Sequence, residues 1–536
     1  VSPPASFNLV DQPWILAQGH DGDIRTLSLS EIFTQVDEIR QLVGDVPTQV
    51  FAINRLLVAI LHRALAPTKD DWLRWWRAGE LPQDALGDYW DRWRERFDLL
   101  HSDRPFYQVA DLHTAKGEFT GVDRLIADAP ANIPYLTTKV GDAVESLTFA
   151  EAARWVVHCQ AFDPSGIKSG AVGDERVKGG KGYPIGIGAA GQIGGVLAVG
   201  QNQFQTLLLN LVPQSANQQR EDWAAWEAEP PHTSAPYYRD DKEAPHQPDG
   251  RAELLTWQSR RLRLVHDGQR VRQALVANGD RFSALNLHNT ELMTAWRQSE
   301  AQARKSGEAV AFMPRRHQPG RALWRGLSSL LESQEGIEQM PGTLAWVGGL
   351  LGEEELDQDL VVTARALGMD YINNSAVVGA VIDDEVPVPV RLLDRQRPEL
   401  RIEVGKAIKD TEEAAYAYGD FVANVRLAAG GESGDRIAVR EHVYAELDGP
   451  FRRWIGRLAD PRVGGVDATA AWAETARPLL LRLARAVIEN AGPVALTGRI
   501  VSGRNREYHL DAGLAERWFR NKLFTIFPGG TSLEES

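Results

Sequence analysis

The sequence predicts an α+β protein, with a large mixed α/β N-terminal domain over residues 1–390 followed by a C-terminal four-helix bundle over residues 391–536. Three observations carry this. Apolar residues recur at helical spacing near the start, they alternate with a period near two between about 250 and 314, and beyond Pro398 the helical period returns to the end. With 536 residues, of which 43% are hydrophobic, the chain can build more than one sizeable core.

Taken in order, an extended start leads to Ser28 and Glu31, spaced as a capping box ahead of Ile32, Val36, Ile39 and Val43 on one expected helical face. Residues 48–65 are apolar on most faces, which predicts a buried helix. Trp72 with Trp76, and Trp90 with Trp93, recur at helical spacing and read as core rather than as a stacking platform. A polar, proline-containing stretch at 213–250 reads as a long surface loop. Residues 260–276 alternate on both sides of Asp267-Gly268, a hairpin with a short turn, and 308–314 is a further strand. Prolines 387, 389 and 398 block regular helix and mark the domain boundary. Beyond them, four apolar stripes define the bundle. They run through Ile408, Ala415 and Phe421, through Val443, Leu447, Phe451 and Trp454, through Leu479, Leu480, Leu483 and Val487, and through Leu514, Trp518 and Leu523. Pro450 and Pro478 fall inside two of these and predict kinks or later starts.

Composition and motifs exclude several classes. A single cysteine, Cys159, rules out a disulfide framework and a cysteine-clustered zinc site, and it reads as a buried helix residue beside a satisfied His158. No run of about 18 apolar residues and no leader pattern appears, so the expectation is a soluble, cytoplasmic protein without membrane contact. The run 178–195 contains Gly186, Gly188 and Gly191 in the dinucleotide pattern G-x-G-x-x-G. That motif needs a strand before it, a helix after it and an acid about 20 residues on, and none is present. The loop is then either a flexible linker or backbone that approaches a ligand closely. His20-Asp21 sits in a turn, His62, His101, His113 and His158 form no i,i+4 metal pair, and no G-x-S-x-G occurs. The chain therefore shows no catalytic constellation, no metal site and no cofactor.

A net charge of −14 argues against a free-standing nucleic-acid binder, but the charge is uneven. Residues 436–522 carry 15 Lys and Arg against 10 Asp and Glu, leaving 44 against 63 elsewhere.

Five separated stretches, in order, resemble the large subunit of the type I-E CRISPR surveillance complex Cascade, the CasA family. They are FNLVDQPWILA at 7–17, ALAPTKDDW at 64–72, HSDRPFYQV at 101–109, TLLLNLV at 206–212 and MDYINNSAVV at 369–378. The resemblance implies a non-enzymatic subunit bound to guide RNA and to the other Cascade subunits. It would find the protospacer-adjacent motif in double-stranded target DNA, help open the duplex into an R-loop, and recruit the helicase-nuclease, while guide pairing supplies sequence specificity.

Residue by residue, the resemblance implies a DNA-contacting loop over 163–195. Its minor-groove part would carry Gly166, Lys168, Ser169 and Gly170, with Lys168 free for a phosphate, and its basic extension Lys178 and Lys181. It implies a wedge hairpin over 369–380 with Asn373, Asn374 and Ser375 at the tip, where relatives carry Asn-Gln. Tyr135 stands at an aromatic position that anchors the guide-RNA end. Arg452, Arg453, Arg457, Arg499, Arg504 and Arg506 would line a DNA path across the bundle. Two other readings compete with this one: a nucleotide- or dinucleotide-dependent enzyme using 186–191, and a protein-only assembly scaffold.

Overall fold

The computed structural model describes residues 6–128, 142–238, 246–331, 338–353, 355–396, 398–502 and 507–528, apart from the side chains of 142, 143, 220 and 466. The chain divides into two units, one of Val1–Arg321, Glu332–Trp346 and Thr363–Glu385, the other of Ala322–Leu331, Val347–Val362 and Val386–Ser536. The second unit takes two segments from before residue 390, so the division is discontinuous where the sequence suggested a single cut. Among the described residues no single helix is long and apolar enough to cross a membrane.

In the first unit, Ser28 and Glu31 do form a capping box, but the helix they open is short, Leu29–Thr34. Ile39–Leu42, expected on the same helix, is instead a strand paired antiparallel with Ile15–Gly19. Ile32, Val36 and Ile39 are all buried, so the apolar pattern marked the core correctly while the period was misread. The helix Pro47–Leu65 is buried on nearly every face and packs on the helix Phe149–Phe162. Trp72 is fully buried, stacks on Trp76 with ring centroids 5.1 Å apart, and donates its indole N–H to the Leu208 carbonyl. His158 is satisfied by the Thr48 hydroxyl at 2.9 Å, and burial pushes the Cys159 thiol up and away from reactivity. The stretch 213–250, read as surface, contributes core: Trp226 is 3% exposed and donates to the Tyr89 hydroxyl.

The hairpin of Arg260–His266 and Val271–Asn278 forms as expected. Its second strand carries two short partners along its other edge, Thr120–Gly121 antiparallel and Lys168–Ser169 parallel, and Lys181–Gly182 adds the last strand. The glycine-rich run is thus built onto a sheet rather than hanging as a linker. Two of its three fingerprint glycines are packing residues. A Cβ at Gly188 would lie 2.5 Å from the Ala161 backbone, and one at Gly191 would lie 2.5 Å from the Tyr371 hydroxyl.

The second unit contains long helices at Glu399–Ala428, Arg436–Arg457, Gly465–Glu489 and Ala512–Ile526. The first packs against the other three, around a fully buried Trp472 whose indole donates to the Thr411 hydroxyl. The helices run through Pro450 and Pro478 instead of beginning after them. The region is not helix alone, since a short helix, Gly492–Thr497, and a hairpin of Arg499–Ser502 and Glu507–Leu510 interrupt the expected pattern.

The glycine-rich loop is held at both feet by one buried charge cluster. Arg260, 1% exposed, directs its Nε to the Asp163 carboxylate and its Nη2 to the carbonyls of Asp163, Pro164 and Gly186 at 3.3, 3.1 and 2.7 Å. The Lys168 ammonium binds the same carboxylate oxygen. Burial alone would push the Asp163 carboxyl up, but the Lys168 and Arg260 charges outweigh it and hold it below the usual range. Asp163→Asn leaves two buried cations without a counter-charge, and we expect it to lower stability by about 3–5 kcal/mol at pH 7. Because the folded pKa lies below the unfolded value of about 3.9, this stabilisation is full above that value and is lost as pH falls through the folded pKa. The gap between wild type and variant in urea unfolding should therefore be constant above about pH 5 and shrink below about pH 4. A gap that persisted unchanged at low pH would remove charge as its source.

Candidate nucleic-acid interface

From Asp163 the chain makes two exposed excursions. The first turns at Gly166, around which nothing lies within 4 Å of an added Cβ, and carries Ile167 with 57% of its surface exposed. Gly170 is a glycine for another reason. A Cβ there would meet the Gly180 backbone at 2.6 Å, and its N–H donates to the Gly180 carbonyl at 3.1 Å. Gly166 and Gly170 therefore separate into one position free to meet a ligand and one that holds the loop together. Ser169 is half-buried in register with Lys181. Lys168 departs from its expected role. Its side chain is only 13% exposed and its ammonium is bound inward to Asp163, so it is not free for a phosphate.

The second excursion is a tight hairpin. Lys178 and Lys181 exchange both backbone N–H···O bonds at 3.1 Å across Gly179-Gly180, whose φ values of +59° and +73° give the mirror-image turn that suits the strand twist. Directly opposite residues share a face, so both exposed lysines project to one side. The hairpin's base is fixed by Arg176, which binds Asp174 and the carbonyls of Asn278 and Gly279, and by Asn278, whose amide donates to the Tyr183 carbonyl at 2.7 Å. The Tyr183 side chain is 52% exposed.

Strands Val361–Ile372 and Val377–Pro389 form the hairpin expected around 369–380. At its tip Asn373, Asn374 and Ser375 all have positive φ, +53°, +56° and +64°. Asparagine tolerates this region through its short polar side chain, whereas for serine it costs about 1–2 kcal/mol. Asn373 and Asn374 are exposed and Ser375 is half-buried. The Ser375 carbonyl accepts the Ser165 N–H at 2.7 Å, which places this tip beside the Gly166 turn. Lower down the same strand, the Tyr371 hydroxyl donates to the Phe162 carbonyl at 2.7 Å, next to the foot of the loop.

In the second unit, Arg452 is committed to Asp448, which also accepts the Trp324 indole N–H, so it serves packing rather than an open cationic path. Arg453 and Arg457 are exposed and lie four residues apart on one helical face, and Arg499 is exposed on its short strand. Tyr135, Arg504 and Arg506 lie outside the described residues. One group among the described residues has metal-ligand chemistry, His246, Asp249 and Glu253, with ligand atoms within 4.8 Å of one another. Burial pushes the Glu253 carboxyl up to about 7, and the Tyr238 hydroxyl and the Asp249 N–H bond to it.

Sequence reasoning missed Ile167, Tyr183 and Arg260. For Ile167 a signal existed, an aliphatic residue between Gly166 and Lys168 in a loop with no periodic face to bury it. For Arg260 there was none, because its partners stand 74 to 97 positions away.

The family model for CRISPR-associated protein Cse1 matches residues 8–483. A CRISPR-associated protein CasA/Cse1 of Thermus thermophilus is 30% identical over 487 residues, spanning 85% of this chain and 88% of that one. The crystal structure of Thermobifida fusca Cse1 matches with a TM-score of 0.89 at 41% identity, over 98% of this chain and 99% of that one. A chain of a CRISPR RNA-guided surveillance complex shares the fold, with a TM-score of 0.66 at 18% identity over 98% and 100% of the two chains. Matched along most of its length by the family model and by a 30% identical relative, the chain belongs to the CRISPR-associated protein Cse1 family.

Proposed function

We propose that this chain is the non-catalytic large subunit of a type I-E Cascade complex. In this reading it recognises the protospacer-adjacent motif in double-stranded DNA, aids duplex opening, and recruits the helicase-nuclease. The observation that carries the reading is the Ser165–Ser375 hydrogen bond, which joins the expected reading loop to the expected wedge although they are 210 positions apart. A duplex element and its first unpaired base are neighbours, so the two protein elements that address them must be neighbours too.

The chemistry suits the task. The minor groove is about 6 Å wide with a degenerate donor and acceptor pattern, so a glycine turn and main-chain groups fit where long side chains do not. Ile167 beside Gly166 supplies the apolar wedge that minor-groove proteins insert between base steps. Lys178 and Lys181, held rigidly on one face, meet phosphates of the same duplex, and Arg453, Arg457 and Arg499 add sequence-independent contact. Asn373 and Asn374 stand at the tip to replace the separated pair, with Asn374 supplying the bulk that Ser375 lacks. Guide RNA and the other subunits complete the assembly, and Tyr135 would anchor the guide-RNA end. The enzyme alternative is disfavoured because Gly188 and Gly191 are packed against protein atoms and already give their N–H groups to the Asp163 and Gly188 carbonyls.

Three measurements on the assembled complex test this. Gly166→Phe has room to fold and should weaken binding of motif-bearing duplex by about 5- to 150-fold, the range of one to three kcal/mol for a disrupted base-pair position; unchanged affinity would return the scaffold reading. Lys178→Ala with Lys181→Ala should make the slope of log K against log salt shallower by about 1.8, the loss of two phosphate contacts. Asn374→Ala should slow opening of a paired target while sparing a pre-opened one, and equal effects on both would argue against a wedge.

A further inference from the structure

Reading and opening fall on different segments, and the geometry between them is more constrained than two independent loops require. At the foot, the Arg260 fork holds the carbonyls of Asp163, Pro164 and Gly186 together. The loop cannot shift there without breaking several bonds of a buried guanidinium. Pro164 has little backbone freedom of its own. The next residue, Ser165, gives its N–H to the Ser375 carbonyl, and the two after that, the half-buried Gly166 and the exposed Ile167, form the turn.

On the far side of the turn Lys168 is bound to Asp163 and Ser169 is paired in the sheet, so a displacement of Gly166 and Ile167 reaches the hairpin tip through the Ser165 bond. Three successive residues hold left-handed backbone, and the Ala376 N–H is shared between the Ile372 and Asn373 carbonyls at 3.1 and 3.2 Å. Strained, over-determined segments of this kind persist where surrounding contacts select one arrangement among several.

We infer that the Ser165 N–H couples motif reading to duplex opening: it sets the hairpin tip beside the read base pair, with Arg260 as the positioning residue that gives the coupling a fixed base. This rests on the reading and wedge roles proposed above. The role belongs to the backbone of Ser165, not to its hydroxyl, and that distinction makes it testable.

The experiment uses the assembled complex and 2-aminopurine placed in the first pair beside the motif. Opening rates are compared on duplexes with and without the motif, and the ratio of the two rates is the measure of coupling. Ser165→Pro removes the donor, and a backbone ester at residue 165 removes it without the proline ring; Ser165→Ala keeps it. Deleting one hydrogen bond should lower the ratio by about 5-fold while motif-duplex binding stays within about threefold of wild type. Ser165→Ala should retain the wild-type ratio. The ester variant decides the matter if the proline variant fails to fold. A wild-type ratio in the ester variant overturns the inference, as does an equal loss in Ser165→Ala. A wild-type complex whose opening ignores the motif would instead overturn the proposed function, so the two failures are told apart.

Discussion

A guanidinium with 1% of its surface exposed is tolerated only when its N–H groups find acceptors, and Arg260 finds them on both feet of one loop. The Asp163 carboxylate supplies the counter-charge, and Lys168 shares it. A buried cluster of this kind is weak as a source of net stability, because desolvation offsets much of the Coulomb attraction. Its value lies in geometry. It converts a run rich in glycine, which has the largest backbone entropy to lose, into a feature with a defined place on the sheet edge.

The exposed parts of the glycine-rich loop follow from that anchoring. The Gly166 turn leaves the foot three residues after Asp163, the Lys178–Lys181 hairpin returns to the sheet at Gly182, and the chain reaches Gly186 to be held again. The glycines along this path do different work. Gly179 and Gly180 take the positive φ of a tight turn, Gly170 and Gly188 let two backbones meet, and Gly166 leaves space. One composition serves three physical purposes.

Charge is distributed with the same economy. The chain is acidic as a whole, with a net of −14, yet the hairpin at 178–181 carries two exposed lysines, and the exposed helix face of Arg436–Arg457 carries Arg453 and Arg457. Basic residues that looked equivalent in sequence divide by environment. Lys168 and Arg452 neutralise Asp163 and Asp448, while Lys178, Lys181, Arg453 and Arg457 face solvent. Only cations with an unspent field attract a polyanion from solution, so the basic surface is smaller than the residue count suggests.

By itself the sequence determined the elements whose evidence is local and periodic. The buried helix at 47–65, the hairpin at 260–278, the capping box at Ser28 and the four long C-terminal helices were legible because side-chain spacing repeats within one element. Separated family segments were legible too, since their order along the chain survives without knowledge of contacts. Tertiary structure alone decided the rest. Residues 39–42 became a strand because Ile15–Gly19 offered a pairing edge, and residues 224–226 entered the core because Tyr89 and Phe97 received Trp226. Lys168 turned inward because Asp163 and Arg260 meet there, and Ser375 came to lie on Ser165. Each of these depends on partners tens to hundreds of positions away, and no local period carries information about which distant group will satisfy a buried charge or an unpaired N–H.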